Sequence, residues 1–183
     1  MTLLRSTAPT FTRPNDTTAY AATGDLVANS TTAANVIALN WQWPRDALPK
    51  RQISIRSASI RVSGTGAIAS KSLRVHLFTA TPTFVTGGDN SAIGTVVATG
   101  FANWIGALDV SILALIADGS FGQGGPVSAS TTGLVPEVIW DAMVAPDVGG
   151  NLNLFGFLES RGAYTPAAQE TYSVTLLGLP VAD

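Results

Sequence analysis

His76 is the one histidine of this 183-residue sequence, and so the obvious candidate for a general base near neutral pH. It stands in the alternating run Leu73-Arg74-Val75-His76-Leu77, on the strand face opposite the aliphatic side chains. Acyl transfer would also need a nucleophile and an orienting acid within reach, and no Gly-x-Ser-x-Gly turn offers the serine. The plainer expectation is a surface or interface histidine with no chemical role. With one His and no Cys, a zinc site would have to be built from carboxylates, and these do not cluster along the sequence. Asp89 and Asn90 follow Gly87-Gly88 and could contribute to a calcium loop. The dense Asp-x-Asp pattern of such loops is missing, so a tight turn is expected instead. Glu137, Asp141, Glu159 and Glu170 could supply the facing carboxyl pair of a glycosidase, though nothing in their spacing selects two of them. Gly122–Gly125 lacks the following Lys-Ser or Lys-Thr of a phosphate loop. Trp41 and Trp43 share a strand face, as a sugar-stacking platform, an assembly anchor or two core side chains would. No catalytic residue, metal ligand or cofactor is assigned on these signals, and an enzyme is not expected.

The elements that would position these residues read as strands. Val36 to Trp43 alternates, with Ile37, Leu39, Trp41 and Trp43 on one face, and stops at Pro44, which has no N–H for a ladder. Ile53 and Ile55 hold one phase, and Ala58, Ile60 and Val62 hold the other. A phase switch near Ser57 predicts a β-bulge. Ser72 to Thr79 is the cleanest strand, followed by a loop over 82–90. Further strands are expected at Val96-Val97, Trp104 to Ile112, Leu134 to Trp140, Leu152 to Glu159 and Thr171 to Gly178, with a helical turn possible near Leu113 to Ala117. Gly119 to Gly125 reads as loop. About eight short strands between Gly, Pro, Asn and Asp turns predict an all-β fold, a β-sandwich or jelly-roll-like domain over 36–183. Residues 1–35, rich in Thr, Ala, Pro and Asn, read as an extended arm with an edge strand near Leu26, held by Tyr20 and turned at Gly24-Asp25. It either lies on a neighbouring molecule or folds along its own domain.

Composition narrows the function. Apolar residues make up 46% and charged ones 12%, about half the usual charged share, so some apolar surface is left for a partner to cover. The longest strictly apolar run, Ile112 to Ala117, is too short to span a membrane, and Met1 to Thr10 lacks the apolar stretch of a signal peptide. Without cysteine, stability must come from packing and association, and a cytoplasmic origin is expected. A net charge of −2 conceals an asymmetry: bases concentrate between Arg45 and Arg74, acids from Asp89 onward. Either oppositely charged strands pair and neutralise one another, or the molecule is bipolar and orients on a partner. Nucleic-acid binding is not expected of an acidic chain with so few aromatics in its basic stretch.

Three segments carry a resemblance. Phe11-Thr12-Arg13-Pro14-Asn15-Asp16-Thr17-Thr18-Ala19-Tyr20 with Gly24-Asp25-Leu26-Val27 resembles the opening of small structural proteins of tailed bacteriophages. So does Leu73-Arg74-Val75-His76-Leu77-Phe78 with Gly88-Asp89-Asn90, and so does Leu158-Glu159-Ser160-Arg161-Gly162-Ala163-Tyr164-Thr165-Pro166-Ala167. The resemblance implies a virion component, a head decoration or cement protein with a β-sandwich fold, sitting as a trimer on the major capsid protein. A minor tail or adaptor role and a carbohydrate-binding module are the alternatives. Phe11, Tyr20, Trp41, Trp43 and Tyr164 are the candidate interface residues.

Overall fold

The computed structural model describes residues 3–21, 24–44, 52–64, 70–93, 100–114, 121–126, 138–141, 147–148 and 151–181. The alternating segments do form strands, and every pairing between them is antiparallel. The arm contributes β1 (Leu4–Arg5), β2 (Thr10–Thr12) and β3 (Leu26–Val27). The body contributes β4 (Leu39–Pro44), β5 (Gln52–Ser63), β6 (Lys71–Phe78), β7 (Trp104–Ala114), β8 (Phe121–Pro126), β9 (Val138–Asp141), β10 (Asp147–Val148), β11 (Asn151–Ser160) and β12 (Thr171–Pro180). Short 3-10 turns occupy Ala33–Asn35 and Gly100–Asn103.

Two antiparallel sheets pack face to face as an all-β sandwich. One runs β1/β2, β12, β5, β8 and the other β7, β6, β11, β4, with β8 hydrogen-bonded to both β5 and β7 at the fold between them. The pairs β5–β12, β6–β11 and β7–β8 are nested in sequence, outermost with outermost. On the far side Thr7 N–H donates to the Gln42 carbonyl at 2.9 Å, tying the arm to β4. Between the sheets lies one core, in which Ile53, Ile55, Ile60, Leu73, Val75, Val110, Leu154, Val174 and their neighbours are fully buried. Removing that apolar area from water, at about 25 cal/mol per Å², is the main force holding the sheets together.

The predicted phase switch in β5 is present. Leu177 pairs with Ser57 and Gly178 with Ile55, so Arg56 is the extra residue, and Ile53, Ile55, Ala58, Ile60 and Val62 all reach the core. Gly156 of β11 allows close packing, because a Cβ there would overlap the His76 carbonyl oxygen and crowd the Trp41 ring.

Several expectations are corrected. Phe121–Pro126 is strand, not loop, because β5 and β7 supply ladder partners on both its edges and override the weak propensity of glycine. Leu113 and Ala114 continue β7 rather than starting a helix. Ile37 precedes β4 and is 71% exposed, whereas Leu39, Trp41 and Trp43 are buried as the alternation requires. The strand expected at Val96-Val97 and the start of the one at Leu134 lie outside the described residues. The arm's described residues lie along their own domain: β1 and β2 pair with β12, β3 with β11, and Leu4, Tyr20 and Val27 join the common core.

Candidate functional site

Among the described residues, ion pairs gather in two places. On the outer face of the β6–β7–β11 sheet, Arg74 forms a bidentate pair with Asp109 at 2.7 and 2.9 Å, directly across the β6–β7 ladder. His76 Nε2 lies 2.6 Å from Glu159, whose other oxygen accepts from Arg161 at 2.9 Å. Burial works against the Glu159 charge, but the hydrogen bonds from His76 and Arg161 hold its carboxyl below the usual range. Arg74 of the basic stretch and Asp109 of the acidic one therefore neutralise each other here, strand against strand. His76 is on the face opposite the core, as its phase predicts, yet it is buried rather than exposed. A second aromatic layer of Phe78, Phe84, Phe155 and Phe157 covers that face, and the imidazole stacks on Phe157 at 4.8 Å.

The second place is interior. Asp89, from the Gly87-Gly88-Asp89-Asn90 tip, reaches beneath the arm and accepts from Arg13 Nη2 (2.7 Å), Tyr20 Oη (2.6 Å) and the Ala28 amide (2.8 Å). The Arg13 and Asp89 side chains are wholly excluded from solvent. Burial alone would lower the Arg13 pKa, but the Asp89 hydrogen bond and the neighbouring charges raise it instead, so the guanidinium stays charged. Burial also drives the Tyr20 phenol far above its ordinary value, which keeps it a donor. The tip can approach only because residue 88 is glycine: a Cβ there would overlap the Ser30 carbonyl oxygen and the Thr31 backbone. Asn90 takes a left-handed φ of 62°, as expected of such a turn.

A neighbouring ion pair extends the node. Lys71 Nζ donates to both oxygens of Glu170 at 2.7 and 2.6 Å and lies 4.4 Å over the Tyr164 ring. Tyr172 Oη donates to Glu170 at 2.5 Å, and the Ala167 amide donates to its other oxygen at 3.2 Å. Aromatic stacking links the two halves: Tyr20 on Tyr164 at 4.7 Å and Phe11 on Tyr172 at 5.2 Å.

Three of the five candidate interface residues, Phe11, Tyr20 and Tyr164, are thus brought together, but in the interior of the chain, with only Phe11 half-exposed. Trp41 and Trp43 belong to the core. Trp41 Nε1 donates to the Val174 carbonyl at 3.0 Å, and Trp43 packs against Trp140 at 5.1 Å. Neither indole can present a face to a sugar, so the stacking platform is excluded at these positions. Glu159 and Glu170 are each committed to their own cations, and Glu137 lies outside the described residues. Among the described residues no group of three or more His, Cys, Asp or Glu is placed to hold a metal ion. Sequence reasoning missed Arg13, Lys71 and Glu170 as parts of one node; their partners lie 76 and 99 residues away, beyond any local pattern.

One surface feature stands apart. A groove of about 440 Å³ runs between Pro9–Thr12 of the arm and Ile37–Asn40, with Asn29 beside it, and no charged residue lines it. Both walls are strand edges. Gln42 N–H donates to Thr7 Oγ1 and its C=O accepts from Thr7 N–H, so by antiparallel alternation Asn40 directs its own main-chain groups the same way, toward the groove.

The fold and the node define an all-β sandwich whose N-terminal arm is fastened by a buried ion pair. No family model matches the sequence, and a search of curated proteins finds no significant match.

Proposed function

We propose that this chain is a virion structural protein of a tailed bacteriophage, a capsid decoration or cement protein that binds the capsid surface as an oligomer. The observation that carries the reading is the convergence of the three phage-like segments. Arg13 and Tyr20 from the first, Asp89 from the second and Tyr164 from the third meet in one buried node. The residues behind the resemblance therefore share a physical task, which is to anchor an arm to a sandwich. Such a fastening suits a part that must keep its arm in place within an assembly.

The groove supports the same reading. An uncharged trough between two strand edges suits an extended segment of another protein, which would gain main-chain hydrogen bonds along both walls. Leu3, Ile37, Val85, Trp104 and Ile139 add exposed apolar surface. The partners in this proposal are the major capsid protein and further copies of the chain, with a trimer favoured. Sedimentation velocity over a wide concentration range tests it: a stable trimer is expected, and a monomer persisting at the highest concentration would overturn it.

A further inference from the structure

Residues 88–93 and the arm hold each other. The Asp89 amide donates to the Ser30 carbonyl at 2.6 Å, the Asn90 amide to Leu26 at 2.8 Å and the Ile93 amide to Gly24 at 2.7 Å, while the Leu26 amide donates back to Ser91 at 2.9 Å. Asn90 Nδ2 reaches the Ala19 carbonyl at 3.2 Å. Residues 24–27 thus lie between this loop on one side and β11 on the other, where Gly24 and Asp25 exchange main-chain bonds with Ser160. The three donors that Asp89 accepts from, on Arg13, Tyr20 and Ala28, all belong to the arm.

Neither part can leave alone at low cost. With the arm lifted and the loop in place, the Asp89 carboxylate loses its cation and two neutral donors. With the loop lifted and the arm in place, the Arg13 guanidinium is stranded where its side chain meets no solvent. Stranding one partner of a buried pair disfavours a state by a factor of about 10² or more. Lifting both together lets water take both charges. We propose that the arm and residues 88–93 form one clasp, which opens all-or-none ahead of the sandwich and bares the edge of β12. The sandwich outlasts the opening because its aliphatic core comes from the body strands, the arm supplying Leu4, Tyr20 and Val27 among the buried members. Closed, the arm occupies the β12 edge from Gly178 to Thr171, and β5 takes the other edge. Open, the first edge presents unpaired main-chain groups of the kind another strand pairs with. The clasp is a guard on that edge, a local opening of the kind that elements of low stability supply.

The chain has no cysteine, so an introduced disulfide has no competitor. Thr12 and Thr171 face each other across β2 and β12 with their hydroxyl oxygens 2.8 Å apart. The flanking bonds, Arg13 N–H to Glu170 and Val174 N–H to Pro9, make them a non-hydrogen-bonded pair, with Cα atoms about 4.5 Å apart and within disulfide reach. Thr12→Cys with Thr171→Cys, oxidised and reduced, is compared by native-state hydrogen exchange of the full chain read by NMR. Oxidation pins only the arm, yet the Asp89, Asn90 and Ile93 amides of the loop are expected to gain protection by about tenfold or more, toward that of the β5 and β6 amides. Ile60→Val, in the core, is expected to speed exchange of the β5 and β6 amides about fivefold and to leave the arm and loop amides unchanged. Loop protection indifferent to oxidation means that the two parts open separately. Arm and loop amides that accelerate with the core under Ile60→Val mean that nothing opens ahead of the sandwich. Either result overturns the proposal, and both are read on the isolated chain, apart from the assembly reading.

Discussion

Replacing Asp89 with Ala leaves three donors facing an empty acceptor position: Arg13 Nη2, Tyr20 Oη and the Ala28 amide. The Arg13 side chain is shut away from water, so its charge cannot be rescued by solvent without opening the arm. Breaking a buried pair from one side costs about 3–5 kcal/mol. For a chain of this length each kcal/mol moves Tm by about 2–4 °C, so a fall of about 6–20 °C is expected in thermal unfolding. The loss is expected to appear first in the arm, as faster proteolysis between residues 3 and 30. The second half of the cycle is the stronger test. Arg13→Met alone strands the Asp89 carboxylate and is expected to be similarly harmful. Arg13→Met combined with Asp89→Leu removes both charges and is expected to recover much of the loss, because an apolar pair can replace a buried ion pair at little cost. If the two single losses simply add in the double variant, or if Asp89→Ala leaves Tm unchanged, the arm is not held by this node and the reasoning fails.

Other outcomes follow from the same structure. Gly88→Ala forces a Cβ into the Ser30 carbonyl and is expected to lower Tm in thermal melts by an amount comparable to Asp89→Ala, although no side-chain contact is removed. Trp41→Ala empties a fully buried position and is expected to cost about 3–5 kcal/mol in denaturant unfolding. Stability is expected to fall as the solution is acidified through the Glu159 titration. The folded carboxyl titrates below its usual value of 4.5, so its contribution is complete above that value and is lost as pH drops through the lower folded one. In pH-dependent melts Glu159→Gln is expected to flatten this acid limb. Ile37→Asp, at a 71% exposed position in the groove, is expected to leave the unfolding free energy within about 0.5 kcal/mol of wild type while weakening self-association in sedimentation.

The parts of the fold legible in the sequence were those written in period 2. Alternation placed β6, β7, β11 and β12, and the phase slip at Ser57 located a bulge one residue away, because a buried face tolerates no register error. Pro44 and the Gly24 turn were readable for the same local reason: each fixes a backbone dihedral or removes a donor. β8 was not legible. Its glycines carry no pattern, and only ladder partners on both edges make it a strand. The candidate site was legible in its members but not in its arrangement. Phe11, Tyr20 and Tyr164 stand out as aromatics in polar surroundings, which suggested an interface; Tyr20 and Tyr164 are buried, with Arg13, Asp89 and Lys71 around them, and Phe11 stays half-exposed at the groove. Arg13, Asp89, Lys71 and Glu170 look like ordinary surface residues in one dimension. Their burial depends on tertiary contacts that bring the 89 loop and the start of β6 to the arm and the β12 entry.

The proposed role is that of a bound part of a larger particle. Quantitative mass spectrometry of particles purified from a lysate in which the gene is expressed tests this most directly. The protein is expected in a fixed ratio to the major capsid protein, retained through gradient purification. Its absence from particles, with the protein recovered only free in the lysate, would contradict it.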